Sequence, residues 1–121
     1  MNKTGTEQPR YSYPRVQGLP GKLDCLYWHG RSGRRYIHTI FSFVDWAGHS
    51  DANILLVRRH MDGARVALWA GQTGAIPGLL SDPGALERAR ADGANEIHVH
   101  LLGEDELMRQ CIAEDLSIVV D

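Results

Sequence analysis

Residues 52–71 read ANILLVRRHMDGARVALWAG, and this stretch gives the clearest structural signal in the chain. Two apolar runs flank Met61-Asp62-Gly63, which is the pattern of a β-hairpin with a tight turn. Asp-Gly favours a type I′ turn, because both central residues of that turn need a positive φ. Both alternating faces of ILLVRR start apolar, which indicates a strand covered on both faces. The stretch therefore predicts a hairpin whose first strand is central in a sheet.

A second hairpin is predicted upstream of this one. The runs LDCLYWH (23–29) and RRYIHTIFSF (34–43) are rich in aromatic and β-branched residues, and the glycine-containing segment GRSG separates them. Residues 44–51 are predicted to form a loop. Residues 1–22 are rich in Pro, Gly, Thr, Gln and Arg, so they are predicted to be a flexible tail. Residues 23–121 then form a single domain.

Two helices and a fifth strand are predicted downstream. Asp82 is the expected N-cap of the first helix, Pro83 suits its first position, and Gly93 suits the residue after its end. The run NEIHVHLL (95–102) alternates apolar and polar residues and predicts a strand with one wetter face. The last helix either ends near Ser117 before a short strand or continues through the final residues. Its apolar stripe consists of Leu107, Met108, Cys111, Ile112, Leu116 and Val119.

The element order β-β-β-β-α-β-α predicts an α+β domain with a mostly antiparallel sheet of two hairpins plus one strand, and with two helices. Asp115 falls inside the apolar arc of the last helix, where a carboxylate needs a partner or a metal ion. Cys25 and Cys111 are expected to be buried thiols of a reducing compartment. No apolar run is long enough to span a bilayer, and no hydrophobic signal core is present. These features predict a cytoplasmic protein without a membrane partner.

Charge is distributed unevenly along the chain. Residues 1–65 carry ten Lys or Arg and five Asp or Glu, whereas residues 66–121 carry three and ten. Such a basic half can face a polyanion, although two solvated faces without a partner give the same pattern. Five arginines at predicted strand ends would grip phosphates if they met at one end of the sheet, or would only keep a sheet edge soluble. They are Arg31, Arg34 and Arg35 of the first hairpin tip, and Arg58 and Arg59.

Histidines give a candidate metal site. His98 and His100 lie two residues apart on one strand face, with Glu96 beside them, and this spacing can supply ligands to a divalent metal ion. A further ligand would come from His29, His38 or Glu114. The alternative is a polar strand face that is open to water. His29 and His38 could also face each other across the first hairpin.

Residues 52–119 resemble the GIY-YIG domain in element order, and Ala70-Gly71-Gln72-Thr73 is similar to the end of the family's Tyr-Ile-Gly-x-Thr motif. The resemblance implies a nuclease scaffold whose motif tyrosines, arginine and metal-binding glutamate cleave a phosphodiester. The matching positions here are Leu55, Trp69, Gly71 and Glu114, with Ala113 or Asp115 in the glutamate position in other registers. The first arginine after the glycine is Arg88.

The side chains at the two tyrosine positions change what the resemblance implies about activity. Neither Leu55 nor Trp69 carries a hydroxyl or can act as a general base. The scaffold is then expected to bind without cutting, with Gly71 serving close backbone packing or a bulge. We therefore expect a non-catalytic module that binds nucleic acid through its basic half and needs no cofactor. The alternatives are a metal-dependent phosphodiesterase using His98, His100 and Glu114, and a small protein-interaction adaptor that dimerises through a strand edge.

Overall fold

The computed structural model describes residues 24–121. It contains five strands and two helices in the predicted order, which confirms the α+β class. The predicted tail, residues 1–22, lies outside the described residues. The elements are β1 (Asp24–His29), β2 (Arg35–Ser42), β3 (Asn53–Arg59), β4 (Arg65–Gln72), α1 (Ala85–Ala91), β5 (Glu96–His100) and α2 (Glu106–Leu116), followed by a 3₁₀ turn (Ser117–Val119).

The sheet has the strand order β1-β2-β5-β3-β4, and all pairs of neighbouring strands are antiparallel. β5 inserts between the two hairpins, so β3 is an inner strand as predicted. Ser42 at the end of β2 and Val57 near the end of β3 both pair with Glu96 of β5. β2 and β3 therefore run in the same direction. As a result, the tip between β1 and β2 lies at one end of the sheet, and the tip between β3 and β4 lies at the other.

The predicted type I′ turn in the second hairpin is wrong. Gly63 has a φ of 91°, but Asp62 does not have a positive φ. The backbone closes the turn with hydrogen bonds from Gly63 to His60 (2.9 Å) and from His60 to Ala64 (2.8 Å). The Asp62 carboxylate accepts a hydrogen bond from the Ala64 amide (2.9 Å), so it acts locally as a turn-forming side chain. This longer loop needs only one left-handed residue, and Gly63 supplies it.

Each face of the sheet carries one helix and one apolar cluster. The α1 face is built on Ile54, Leu56, Ile97 and Val99, with Ala85 and Ala89 of α1 packed against them. The α2 face is built on Leu26, Trp28, Leu55, Val57 and Ala67, with Ile112, Leu116 and Val119 packed against them. Because consecutive strand residues point to opposite faces, the apolar run of β3 supplies both clusters.

Helix α1 starts later than predicted. Its N-cap is Gly84, not Asp82, and its first helical residue is Ala85. Asp82 instead closes a turn: its carboxylate accepts from the Gly84 amide (3.2 Å) and its carbonyl accepts from the Ala85 amide (3.1 Å). The predicted stop is confirmed, since Gly93 follows the C-cap with a φ of 93°.

The predicted apolar stripe of α2 is only partly buried. Ile112, Leu116 and Val119 lie in the core, but Leu107 is 70% exposed and Met108 45% exposed, and the thiol-bearing Cys111 is exposed as well. Cys25 is half-buried, so the expectation of two buried thiols is wrong. Arg109 is buried in place of the exposed apolar residues.

After the 3₁₀ turn, Val120 makes a single parallel bridge to Ala67, so the end of the chain is neither a full helix nor a full strand. Within residues 24–121, neither helix has the length and apolar character required to traverse a bilayer.

Candidate functional site

The residues that match the nuclease motif do not converge on one site. Leu55 is fully buried under α2. Trp69 packs on the opposite face, against the α1-side cluster, and lines a groove of about 130 Å³ with Arg88. Gly71 and Glu114 line a different cleft of about 410 Å³, between β4 and α2. The sheet therefore separates the positions that a single catalytic centre would need to bring together.

Gly71 has a packing role. A Cβ placed on Gly71 would lie 2.2 Å from the nearest ring atom of Trp69 and 2.9 Å from the Ser81 hydroxyl oxygen. The Trp69 ring is held within the α1-side packing, so it cannot move aside at low cost. Glycine is needed here because two side chains approach the backbone closely.

The β4–α2 cleft offers few groups for catalysis. Its polar lining consists of Gln72, Ser81, Gln110 and Ser117, together with the Glu114 carboxylate. Gln72 is already engaged, since its side-chain oxygen accepts a hydrogen bond from Arg109 (3.1 Å). No described residue that lines this cleft carries an imidazole, a phenol or a guanidinium. Among the described residues that line the cleft, Glu114 therefore has no cationic side chain and no imidazole base that could activate the Ser81 or Ser117 hydroxyl.

The histidine face of β5 is buried, which overturns the expectation of a wet strand face. His98 is fully buried and His100 is 4% exposed. Trp28 donates an indole hydrogen bond to Nδ1 of His98 (2.9 Å), and Nε2 of His98 donates to Glu96 (3.0 Å). His100 donates through Nδ1 to the Ile37 carbonyl (2.7 Å). Both nitrogens of His98 are thus occupied within the fold.

The predicted metal ligands do not form one site, although the rings of His38 and His100 lie 5.4 Å apart. His98 is buried, whereas Glu114 lies exposed on α2. His38 pairs with Leu26 and His29 pairs with Arg35, so these two histidines do not face each other. Across residues 24–121, no three His, Cys, Asp or Glu side chains are grouped so that they could hold a metal ion.

Burial keeps the inner histidines neutral. Loss of hydration lowers the pKa of His98 and His100, and it holds the pKa of His38 well below its ordinary value. Burial alone would raise the pKa of Glu96, but hydrogen bonds from His98 and Arg65 outweigh this effect and hold that pKa at about 2. Nδ1 of His38 donates to the Tyr36 carbonyl (2.8 Å), which leaves Nε2 as an acceptor, and this buried atom has no hydrogen-bond partner among the described residues.

The five candidate phosphate-binding arginines form two groups at opposite ends of the sheet. At the β3–β4 end, Arg58 donates to the Asp92 carbonyl (2.8 Å) and Arg59 lies 3.9 Å from the Glu96 carboxylate. Glu96 also pairs with Arg65 at 2.8 Å. The guanidinium groups at this end are therefore largely engaged by partners within the fold.

The three arginines of the other end, Arg31, Arg34 and Arg35, are called the tip arginines here. All three are exposed, and among the described residues none of them has a carboxylate within ion-pair distance. Arg35 lies over the Tyr27 ring at 4.6 Å. This end of the sheet therefore offers exposed guanidinium groups to an anion, while the charge of Arg34 also acts on the Asp115 carboxylate.

Asp115 anchors the hairpin tip to α2. Its carboxylate accepts hydrogen bonds from the Ser32 amide (2.8 Å), the Ser32 hydroxyl (2.6 Å) and the Tyr36 phenol (2.8 Å). Burial acts to raise the pKa of Asp115, but the bonds from Ser32 and Tyr36 outweigh it and lower that pKa. The Arg31 amide donates to the Asp115 carbonyl (2.9 Å). The tip arginines are thus carried on a turn that is fixed at its base.

A pocket of about 280 Å³ lies between the tip and α2, and we call it the tip pocket. Ser32, Arg34 and Tyr36 line it from the hairpin. Met108, Cys111, Ile112 and Asp115 line it from α2, and their spacing of three, four and seven residues places them on one helical face. Met108 and Cys111, two stripe residues that the core does not bury, therefore form part of a wall of this pocket.

Sequence reasoning missed the tip pocket but contained two signals for it. Asp115 lies within an apolar arc of the predicted helix, so its carboxylate was expected to have a hydrogen-bonding or ionic partner. Ser32 and Tyr36 are its partners. The stripe of α2 was also wider than a short helix needs to cover two strands.

Comparison of the chain with protein-family models, with curated proteins and with solved structures gave no match.

Proposed function

We propose that this protein is a non-catalytic nucleic-acid-binding module that grips phosphates with the tip arginines. The observation that carries the proposal is their state. Three arginines of one hairpin tip are exposed and, among the described residues, have no carboxylate within ion-pair distance, whereas the arginines of the opposite end are engaged. Arginine binds phosphate oxygens through paired N–H groups, and such contacts supply most of the non-specific affinity for nucleic acid. The fixed turn lowers the cost of ordering these side chains on binding.

The proposal also states that the module does not cleave the nucleic acid it binds. A hydrolytic centre needs a base or nucleophile close to the groups that stabilise the transition state. Leu55, Trp69, Arg88 and Glu114 lie in the core or in separate clefts, and the His98 nitrogens are used internally. These separations favour a scaffold that holds a strand without cutting it.

The proposal is tested by fluorescence anisotropy with labelled DNA and RNA at low and raised salt. The triple variant R31Q/R34Q/R35Q should bind at least tenfold more weakly at low salt. Its salt dependence should also fall, because each lost phosphate contact removes roughly 0.7 from the logarithmic slope for single strands.

The matched control is R59Q/R88Q/R90Q, which removes the same charge at other places and should bind nearly as the wild type does. Equal loss of affinity in the two triple variants would mean that net charge, not the tip, drives binding. Absence of binding by the wild type at low salt would end the nucleic-acid proposal. Cleavage of a bound strand by pure protein would overturn its non-catalytic part.

A protein-interaction role is the second candidate function. It is favoured by three leucines around the junction of β5 and α2: Leu101 is 55%, Leu102 69% and Leu107 70% exposed. Large exposed apolar side chains in one region are typical of contact surfaces. Sedimentation across a concentration range tests self-association, and a double change of Leu102 and Leu107 to Ser should abolish it if it occurs there.

A further inference from the structure

The tip pocket has the size of a site for a small planar group. Its volume of about 280 Å³ lies just below the range of roughly 300–1,000 Å³ that is usual for pockets of drug-sized ligands. It opens beside Arg34, which lines it, and beside the turn that carries Arg31. A ligand that enters the pocket is therefore next to the guanidinium groups proposed to hold phosphates.

One wall of the pocket is suited to a flat aromatic ring. Met108, Cys111 and Ile112 supply apolar and sulfur-containing surface from α2, and Tyr36 supplies its phenol ring from β2. The Tyr36 ring is fixed, because it packs edge-on against His100 at 5.4 Å and its hydroxyl is bonded to Asp115. Stacking on a fixed ring costs little side-chain entropy.

The Asp115 carboxylate, which lines the pocket, has one unused hydrogen-bond acceptor position. A carboxylate offers about four lone-pair sites, and Asp115 uses two on Oδ2 and one on Oδ1. The remaining site on Oδ1 can accept one further hydrogen bond. Exocyclic amino groups of cytosine, adenine and guanine are donors of the kind that carboxylates accept from. Thymine has no exocyclic amino group, and its one ring donor, N3–H, is flanked by two carbonyl oxygens that a carboxylate repels.

We propose that the tip pocket receives one unpaired nucleobase with an amino group, while Arg31 and Arg34 hold the adjacent phosphates. This inference rests on the proposed function, since it names the substrate class of the same surface. A base in a duplex is stacked and paired on both sides and cannot enter a pocket without being flipped out. The module then prefers single strands to duplexes, and cytosine-rich strands to thymine-rich ones.

The thiol of Cys111 allows a direct test on the full chain. Cys111 is exposed and lines the pocket, whereas Cys25 is half-buried and lies on β1. The rate of Cys111 alkylation by a maleimide is measured with and without saturating oligo-dC, and Cys111→Ser supplies the background from Cys25. Oligo-dC should slow alkylation at least fivefold, whereas a duplex bound at equal occupancy should leave the rate nearly unchanged.

A variant that fills the pocket distinguishes binding of a base in the pocket from binding of phosphates by the tip arginines. Cys111→Phe should weaken oligo-dC binding about fivefold or more, the scale expected for loss of one stacked base, with little effect on duplex binding. Leu107→Phe adds a ring to the same helix outside the pocket and should bind as the wild type does. Neither variant changes a core residue, since both positions are exposed.

The outcomes distinguish this inference from the function on which it rests. If the wild-type protein binds no strand, both the pocket inference and the proposed function are wrong. Tight binding of oligo-dC with unchanged Cys111 reactivity, or with unchanged affinity in Cys111→Phe, overturns the pocket and leaves the binding function standing. Equal or stronger binding of oligo-dT removes the contact between the base and Asp115.

Discussion

The phenol of Tyr36 donates a 2.8 Å hydrogen bond to the carboxylate of Asp115, which joins the second strand of the sheet to the last helix. The same carboxylate holds both the amide and the hydroxyl of Ser32 in the hairpin turn. One side chain thus links the first hairpin to α2 through three hydrogen bonds, beside the apolar packing of Leu26 and Trp28 against the helix. The stability of this region and the shape of the tip pocket depend on the same three hydrogen bonds.

Loss of the Asp115 carboxylate should destabilise the domain. Asp115→Ala leaves the Ser32 and Tyr36 donors without their acceptor and should lower the free energy of unfolding by about 2 kcal/mol, because hydrogen bonds to charged groups are stronger than neutral ones. Tyr36→Phe removes only one of the bonds and should cost about 1 kcal/mol. Urea unfolding followed by circular dichroism measures both. Wild-type midpoints in both variants would show that the network adds no stability.

The indole of Trp28 should matter more than that of Trp46, although each donates to a histidine Nδ1. Trp28 is fully buried, so Trp28→Phe leaves a cavity and an unpaired Nδ1 on His98, at a cost of about 2–4 kcal/mol. Trp46 is only half-buried, and water can replace its lost bond. Trp46→Phe should therefore cost about 1 kcal/mol or less. Similar losses for both variants, again by urea unfolding, would contradict the burial argument.

Stability should decrease as the pH falls below about 6.5, the ordinary pKa of histidine. The pKa values of His38, His98 and His100 are lowered in the folded state, so the unfolded chain takes up protons that the folded chain excludes. Each such histidine contributes a slope of up to about 1.4 kcal/mol per pH unit. Glu96, with a pKa of about 2, stays ionised in this range, and its contribution is lost only at lower pH.

Replacement of His38 tests the origin of this slope. His38→Phe removes one buried group and should make the free energy of unfolding less dependent on pH between pH 5 and 7. His60→Gln, which replaces an imidazole in an exposed turn, is the matched control variant. Chemical denaturation at several pH values gives the comparison. An equal slope in wild type and His38→Phe would exclude His38 as a source.

Gly71 should tolerate a methyl group poorly, and Gly74 should tolerate it well. Gly71→Ala forces the Trp69 ring or the backbone to move and should cost about 1–3 kcal/mol. A Cβ on Gly74 meets no atom within 4 Å, and Gly74 does not have a positive φ, so Gly74→Ala should be nearly neutral. Thermal unfolding of the two variants tests the difference. A neutral Gly71→Ala would remove the packing explanation for this glycine.

The hairpins were predictable because their signals are local. Apolar runs separated by a glycine-containing turn specify both of them, and the two apolar faces of β3 correctly indicated an inner strand. The turn type was wrong because Asp62 uses its carboxylate to bind the Ala64 amide, which the dipeptide Asp-Gly alone does not reveal. The start of α1 was wrong for a similar reason, since Asp82 closes a turn of its own.

The candidate site depended on contacts between distant residues and was harder to predict. The alternation of β5 was correct, but burial of His98 comes from Trp28, seventy residues earlier. The tip arginines are separated from Arg58 and Arg59 because β5 inserts between the hairpins, and no local pattern states which strands become neighbours. The pocket beside the tip requires Ser32 and Asp115 to meet across the whole domain.

The insertion of β5 also constrains the order of assembly during synthesis. Each hairpin can close as soon as its own strands leave the ribosome, but the two halves share no ladder until residues 96–100 arrive. A nascent chain that ends before Glu96 therefore exposes the inner edges of β2 and β3, where chaperones or other nascent chains could pair with them. We expect the rate-limiting step of folding to be the docking of this late strand into the gap, because its pairing with β2 joins residues that are far apart in the sequence.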